Sequence, residues 1–382
     1  MLSFAGRERD ALKDAQQGYQ RAHEFGLERA GGSFVAANVA WSLLNLGRWQ
    51  ECERLTSDLL ATDRWGAFTL HTVQGVLLSR RGDFREGREQ LEQAFRLSSW
   101  SYRDLVWLGA AELALYQGRH DEASTAVAEG LRWCAERDPD GILPQYSCSW
   151  YAMALRLHAD QAEQAAARRT ADAITKAREQ AVPIVAKLDR LTAAPTPQVR
   201  YPIIAGNLLL ARAEQSRLEG KSDPERWQAA AAAWNQLEYP FHAAYARFRE
   251  AEALLANGAS REQAKAALHP AYHTAVTLGA APLRREIELL AQRGRLHLEE
   301  RVDTAASPEV PTSPATSLGL TRRELEVLAL IAEGRTNRQI GQALFITPKT
   351  ASLHVSRILA KLGVAGRGEA AAVAHRLGLD KQ

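Results

Sequence analysis

Glycine recurs in the first third of the chain at a nearly fixed interval, and that interval restricts the fold more than any other feature. LNLGRWQEC places Gly47 two residues before Trp49, SRRGDFREG places Gly82 before Phe84, and LYQGRHDEA places Gly118 before His120, at spacings of 35 and 36 residues. Seven residues before each glycine stands a small residue: Ala40, Gly75 and Ala111. The same offset joins Ala213 to Gly220 and Ala251 to Gly258. A small residue lets two helices approach closely, and a glycine supplies the turn conformation after the first of them. An aromatic or alanine then opens the second. Units of this kind cannot bury their apolar faces singly, so they stack.

The residues between these marks are helix formers. Ala, Leu, Arg, Glu and Gln dominate up to about residue 300, with no alternating β-branched run of strand length. The pattern resembles the tetratricopeptide repeat, in degenerate form: His120 replaces the aromatic of the third unit, residues 131–205 do not follow the period, and later units carry insertions such as KSDPER. The expected fold is therefore all-α, with a degenerate tetratricopeptide-like helical array over residues 1–301 stacked as a solenoid. TAAPTPQVRYP, Thr192 to Pro202, reads as a loop inside it. VDTAASPEVPTSPATSLG, residues 302–319, carries three prolines among Ser, Thr and Ala and is expected to be a disordered linker.

Charge is unevenly shared. From Leu320 to Gln382 there are ten Lys/Arg against five Asp/Glu, while the remainder holds 38 against 40. A basic end on a near-neutral body suits a polyanionic partner. Cys52, Cys134 and Cys148 form no C-x-x-C pair and no disulfide framework, which fits a reducing, cytoplasmic setting. The opening MLSFAGRERD lacks an apolar core of signal-peptide length. The most apolar run, LVWLGAAELALY from Leu105, contains Glu112 and is too short to span a bilayer, so no membrane partner is expected.

The segment after the linker, residues 320–382, is fully punctuated for helices. Thr321 with Glu324 makes a capping box and Gly334 ends that helix. Thr336 with Gln339 opens a short second helix through Leu344, followed by a tight turn at Phe345 and Ile346. Thr347 caps a third helix, Pro348 takes its first position and Gly363 stops it; a fourth runs from about Arg367 to Leu377. Leu325, Leu328 and Ile331 share one face of the first helix, Ile340 and Leu344 one face of the second, and Ala351, Val355, Ile358 and Leu362 one face of the third. That leaves Lys349, Ser352, Leu353, Ser356 and Arg357 pointing away from the core, on a small, partly basic face suited to a major groove. The capped helix start also offers free N–H groups to phosphate.

These motifs, L-T-x-R-E-x-E-V-L, N-x-x-I-x-x-x-L-F-I-x-P-K-T and H-V-x-x-I-L-x-K-L-G-V, closely resemble the LuxR-type (GerE-type) helix-turn-helix family over roughly the last 60 residues. The resemblance implies a four-helix domain whose third helix, residues 348–362, reads double-stranded DNA. It gives base-facing roles to Ser352, Leu353 and Ser356, and places Thr336, Arg338, Lys349, Thr350, His354 and Arg357 near the phosphate backbone. The fourth helix would serve dimerisation through Ala370, Val373, Ala374 and Leu377. Two positions depart from the family: Ser352 stands where Lys is common, and Gly366 where a capping Ser is common. GLERAGGSFVAANVAWSLLNLGRW, YAMALRL, RLEGKSDPERWQAAAAAW and LGAAPLRREIELLAQR also look like the C-terminal half of the large ATP-binding LuxR regulators, whose nucleoside-triphosphatase module has no counterpart in these 382 residues.

Other constellations fall short. Gly220, Lys221 and Ser222 invite a phosphate-loop reading, but Gln215 stands where that loop needs its first glycine and no strand precedes it. His269 and His273 are four apart, but Pro270 follows the first and no third ligand is evident, so no metal is expected. No G-x-S-x-G or Cys–His arrangement suggests an enzyme, and no cofactor is expected. The nine tryptophans lie between Trp41 and Trp234, in the core or along a concave face. The sequence thus points to a nucleoid-associated transcription regulator, a homodimer on DNA with a protein or small-molecule effector on its array. The competing reading is an interaction scaffold whose terminal domain binds protein.

Overall fold

The computed structural model describes residues 2–3, 5–26, 33–61, 67–99, 103–139, 143–193, 201–298, 322–344, 352, 355, 358–359, 361–362, 364 and 366–376. All of its regular elements among these residues are helices, and none is long and apolar enough to cross a membrane. The chain divides into two compact units, Met1–Glu300 and Arg301–Gln382. The expected linker, 302–319, lies outside the described residues.

The first unit opens with α1 (Glu8–Glu24) and continues as helical hairpins. These are α2 (Ser33–Asn45) with α3 (Trp49–Leu60), α4 (Ala67–Arg81) with α5 (Phe84–Leu97), and α6 (Arg103–Tyr116) with α7 (His120–Arg137). There follow α8 (Pro144–Ala167) with α9 (Ala171–Ala193), α10 (Pro202–Leu218) with α11 (Pro224–Gln236), and α12 (Pro240–Ala256) with α13 (Arg261–Leu278). α14 (Ala281–Gly294) ends the unit. Thr192, Ala193 and Pro202, expected in a loop, are helical.

The hairpin turns share one backbone solution. Gly47, Gly82, Gly118, Gly220 and Gly258 all have positive φ. In each case the next residue's N–H returns to a carbonyl five positions earlier, as Arg48 to Leu43 and Asp83 to Leu78, both at 2.9 Å. This is the bond that satisfies a helix's last carbonyls. The stretch 131–205 does not follow the period, as the sequence indicates, yet its hairpin turns in the same way. Arg169 takes the left-handed conformation at φ 58°, Thr170 N–H donates to Ala165 O at 2.9 Å, and buried Ala162 stands seven residues before the turn. The period is broken here because α8 and α9 run to 24 and 23 residues, and the turn is unmarked because it carries Arg in place of Gly.

The expected solenoid, in which each repeat touches only its neighbours, is not what forms. The unit closes on itself. One continuous core joins Leu44, Trp49 and Val73 of the early hairpins to Phe241, Leu268 and Ile287 of the late ones. Gly47 lies so close to Pro240 and Leu278 that an added Cβ would meet them at 2.7 and 3.0 Å. Tyr239 Oη donates to Glu8 Oε2 at 2.6 Å, and Trp49 packs on Phe241 with ring centroids 5.6 Å apart. Trp49, Trp150, Trp227 and Trp234 are fully buried. Such a side chain removes roughly 150–250 Å² from water, on the order of 5 kcal/mol each at about 25 cal/mol/Å².

Candidate nucleic-acid interface

In the second unit, α15 (Arg322–Ala332) ends at Gly334, whose φ of 75° lets Arg335 N–H return to Leu330 O at 3.0 Å. The second helix, α16 (Asn337–Leu344), begins with the predicted capping box. Gln339 N–H donates to Thr336 Oγ1 at 3.3 Å, and Thr336 N–H donates to Gln339 Oε1 at 2.8 Å. Two of the four free N–H groups of the helix start are thereby satisfied. The described positions from Ser352 to Leu362 are helical, and α17 (Arg367–Arg376) closes the unit.

The core of this unit is Val327, Leu328 and Ile331 from α15, Ile340 from α16, Val355 and Ile358 from the third helix, and Ala370 and Ala374 from α17. Leu328, Ile331, Ile340, Val355 and Ile358 belong to the inward faces that the helix periods predict. Val327 falls outside that pattern, and it is fully buried. Two polar ties fix the helices. Lys361 Nζ donates to Glu324 Oε2 at 2.7 Å, with the Glu324 side chain only 5% exposed. Arg367 Nη1 donates to Asn337 Oδ1 at 3.1 Å. Glu324 therefore braces the third helix as well as standing at the expected capping position; its partner there, Thr321, lies outside the described residues.

Burial on one side leaves the other to solvent. Thr336 and Arg338 are exposed at the start of α16, and Ser352 is exposed on the third helix with Val355 and Ile358 turned inward. Among the described residues Arg338 has no ion-pair partner. Its charge is free for an external anion, and Thr336 sits two residues from it at the same helix end. The remaining expected DNA-facing residues, Lys349, Thr350, Leu353, His354, Ser356 and Arg357, lie outside the described residues, as does Leu377.

The expected dimer face needs correction. Ala370 and Ala374 have no accessible surface, because their i, i+4 stripe packs against α15 and the third helix. A side chain without accessible surface cannot touch a second chain. Val373 is half-buried, and Ala372 and His375 are exposed on the same helix.

The arrangement is that of a helix-turn-helix domain: a short capped helix, a following helix with one buried and one exposed face, and flanking helices that brace both. Comparison with known proteins agrees. The family model for bacterial regulatory proteins of the luxR family matches residues 318–374. The spore germination protein GerE of Bacillus subtilis is 42% identical over 59 residues, 15% of this chain and 80% of that protein. The chain belongs to the luxR family of bacterial regulatory proteins. The transcriptional regulatory protein LiaR of Bacillus subtilis is 46% identical over 89 residues, 22% of this chain. The DNA-binding transcriptional activator DevR/DosR of Mycobacterium tuberculosis is 40% identical over 89 residues, 23% of this chain. The chain spans only 42% of LiaR and 39% of DevR/DosR, so the likeness concerns the terminal domain.

Elsewhere the candidate sites of the sequence resolve into structure. Gly220 is a hairpin turn, and Lys221 and Ser222 follow the C-terminal end of α10, where Arg178 donates to Leu218 O at 3.1 Å and Glu219 O at 3.0 Å. Ser222 Oγ accepts from Trp227 Nε1 at 2.9 Å. His269 and His273 lie on α13, and among the described residues no three His, Cys, Asp or Glu side chains cluster so as to hold a metal ion. Cys52, Cys134 and Cys148 are buried free thiols whose pKa burial pushes up to about 12, out of reach of thiolate chemistry near neutrality.

Proposed function

We propose that this chain is a DNA-binding transcription regulator that acts by binding rather than catalysis, with the helical array modulating the DNA contact. The observation that carries this reading is the exposed Thr336, Arg338 and Ser352 set on a braced, luxR-family helix-turn-helix. The third helix, 348–362, enters the major groove. Ser352, Leu353 and Ser356 read base edges or thymine methyls, and Thr336, Arg338, Lys349, Thr350, His354 and Arg357 contact the backbone. Two copies bind adjacent half-sites, meeting through Val373 and its exposed neighbours on α17. The tetratricopeptide-like array responds to an effector and sets how well the two domains engage. The protein acts in the cytoplasm. It turns over no nucleotide, because Lys221 follows a helix's carbonyl end and Gln215 stands where a phosphate loop needs its first glycine; ATP hydrolysis abolished by Lys221→Ala would contradict this.

Phosphate contacts carry no sequence information, whereas base contacts do. Binding-site selection with the full chain tests the sorting. Lys349→Ala or Arg338→Ala is expected to weaken specific and random duplexes alike and to lower the salt slope by about one for each phosphate left unneutralised. Three basic side chains on phosphate in each subunit of a dimer give a log–log slope of about −5. Ser352→Lys is expected to change the selected sequence by about 1–3 kcal/mol at one or two positions. A motif shifted by Lys349→Ala and left unchanged by Ser352→Lys would mean that the helix faces the other way.

A further inference from the structure

The closed array lines a half-open lumen. The first helix of each hairpin, α2, α4, α6, α8, α10 and α12, faces a cavity of about 220 Å³ on its axis. A dry cavity of about 150 Å³ is large enough for benzene, so this one has room for a ring with a short side chain. Its wall is mostly apolar, from residues such as Val76, Leu108, Met153, Ile203 and Phe241.

The polar atoms of that wall are unfinished. Trp41 Nε1, Arg80 Nη1, Arg156 Nε, Trp234 Nε1 and His242 Nδ1 are buried and have no hydrogen-bond partner. Arg80 and Trp234 are only 7% and 2% exposed, so the cost of leaving them unmet is not relieved by bulk solvent. At least four of the five are N–H donors, so a ligand that completes them must bring acceptors.

The charges say which acceptor. Each carboxylate of the lumen is already engaged. Glu112 takes both forks of Arg80, at 3.0 and 3.1 Å, and the Tyr116 hydroxyl at 2.9 Å. Glu214 takes Arg217 at 2.8 Å and the Tyr245 hydroxyl at 2.5 Å. Arg156 differs. Its guanidinium lies over the rings of Tyr245 and Tyr116, at 4.6 and 5.5 Å, yet among the described residues no carboxylate reaches ion-pair distance. Burial opposes its charge, but the neighbouring Tyr245, Tyr116, Asp160 and Glu214 outweigh that and hold its pKa raised, so it stays a cation. Arg80 lies over Phe241 at 4.4 Å, one helical turn from Tyr245 on α12, and both guanidinium charges act on the same neighbours, His242 and Glu112. Arg156 and Tyr245 also line a second, charged cavity of about 610 Å³.

We propose that the lumen binds a small, largely apolar carboxylic acid, its carboxylate taken by Arg156 and Arg80 and its ring or chain packed against Trp41, Trp234 and Phe241. This rests on the reading that the array receives an effector, and it names the effector's chemistry and its seat. Guanidinium and carboxylate match in geometry, and a charge-assisted pair in a water-poor site is stronger than a neutral one.

The test uses the full chain with phenylacetate, indole-3-acetate and octanoate as probes, and with phenylacetamide as the uncharged counterpart of the first. All tryptophans precede residue 235, so fluorescence reports the array alone. Saturable quenching by at least one acid, with a rise in Tm, is expected, and phenylacetamide is expected to bind at least about tenfold more weakly than phenylacetate. Arg156→Met is expected to abolish acid binding. Leu108→Trp, which fills the lumen and leaves both arginines, is expected to do the same, and the ligand-free melting curve of each variant shows whether it folds. Equal binding of the acid and the amide, binding that survives Leu108→Trp in a folded protein, or no binding of any acid at millimolar concentration would each overturn the proposal. DNA affinity is measured separately: an acid that fills the lumen without altering it leaves the pocket standing and removes the effector reading instead.

Discussion

Arg217 shows how much a single side chain carries in this array. It is 2% exposed and bridges Asp160 at 2.7 Å, Glu163 at 2.8 Å and Glu214 at 2.8 Å, the last with its side chain 1% exposed. A buried pair adds little over an apolar one, but breaking it leaves charges without compensation. Arg217→Met is therefore expected to lower the unfolding free energy by about 3–5 kcal/mol in a denaturant titration, and a loss below about 1 kcal/mol would show the cluster to be expendable. His242 gives the pH dependence. Burial, then Arg80, pushes its pKa down to about 3 from an ordinary 6.5, with Arg156 adding to the effect and Glu112 opposing it. Between those values the unfolded chain binds a proton that the folded chain does not, so stability falls as pH drops through this window. His242→Phe is expected to flatten that limb in midpoints measured from pH 7 to 4, leaving the loss due to the depressed carboxyls of Glu112 and Asp160 at lower pH. An unchanged limb would mean that His242 titrates normally.

At the scale of elements, the turns explain what the sequence reveals and what it hides. A glycine can take positive φ without strain, so Gly47, Gly82, Gly118, Gly220 and Gly258 announce their hairpins, and the small residue seven positions earlier confirms the register. Arg169 adopts the same conformation against its preference, and nothing in its chemistry announces a turn; the only surviving signal is Ala162 at the same offset. In the terminal unit the helix starts and stops are readable because capping is local chemistry, as the Thr336–Gln339 box demonstrates. Which stripe of α17 is spent on the domain's own core is not readable, because alanines suit a helix interface within a chain as well as one between chains. The turns make a matched prediction. Gly118 has open space for a Cβ, so Gly118→Ala is expected to cost about 1–2 kcal/mol through backbone strain alone. Arg169→Gly is expected to gain up to about 1 kcal/mol in the same assay, unfolded-state entropy taking back part of the relief. A stabilising Gly118→Ala would remove the conformational argument.

Closure is the property of the whole array that local sequence does not encode. Helix periods and turn glycines set each hairpin, but the superhelical twist that brings the turn after α2 against the start of α12 and the end of α13 accumulates from every interface between them, and no short window contains it. The lumen and its unmet donors exist only because of that closure, so the candidate pocket is invisible in the sequence where the DNA-binding motif is plain. Closure also changes the energetics. In an open solenoid a repeat exchanges free energy only with its neighbours, and damage stays local. Here Leu278 of α13, 9% exposed, lies within reach of Gly47 at the end of α2, although more than two hundred residues separate them. Leu278→Ala removes buried apolar volume and is expected to cost about 2–5 kcal/mol. If the early and late hairpins share one core, native-state hydrogen exchange will speed up in α2 and α3 by about the same factor as in α13, since both open through the same event. Faster exchange confined to α13 and α14, with α2 unchanged, would mean that the contact closes the ring geometrically without coupling its two ends.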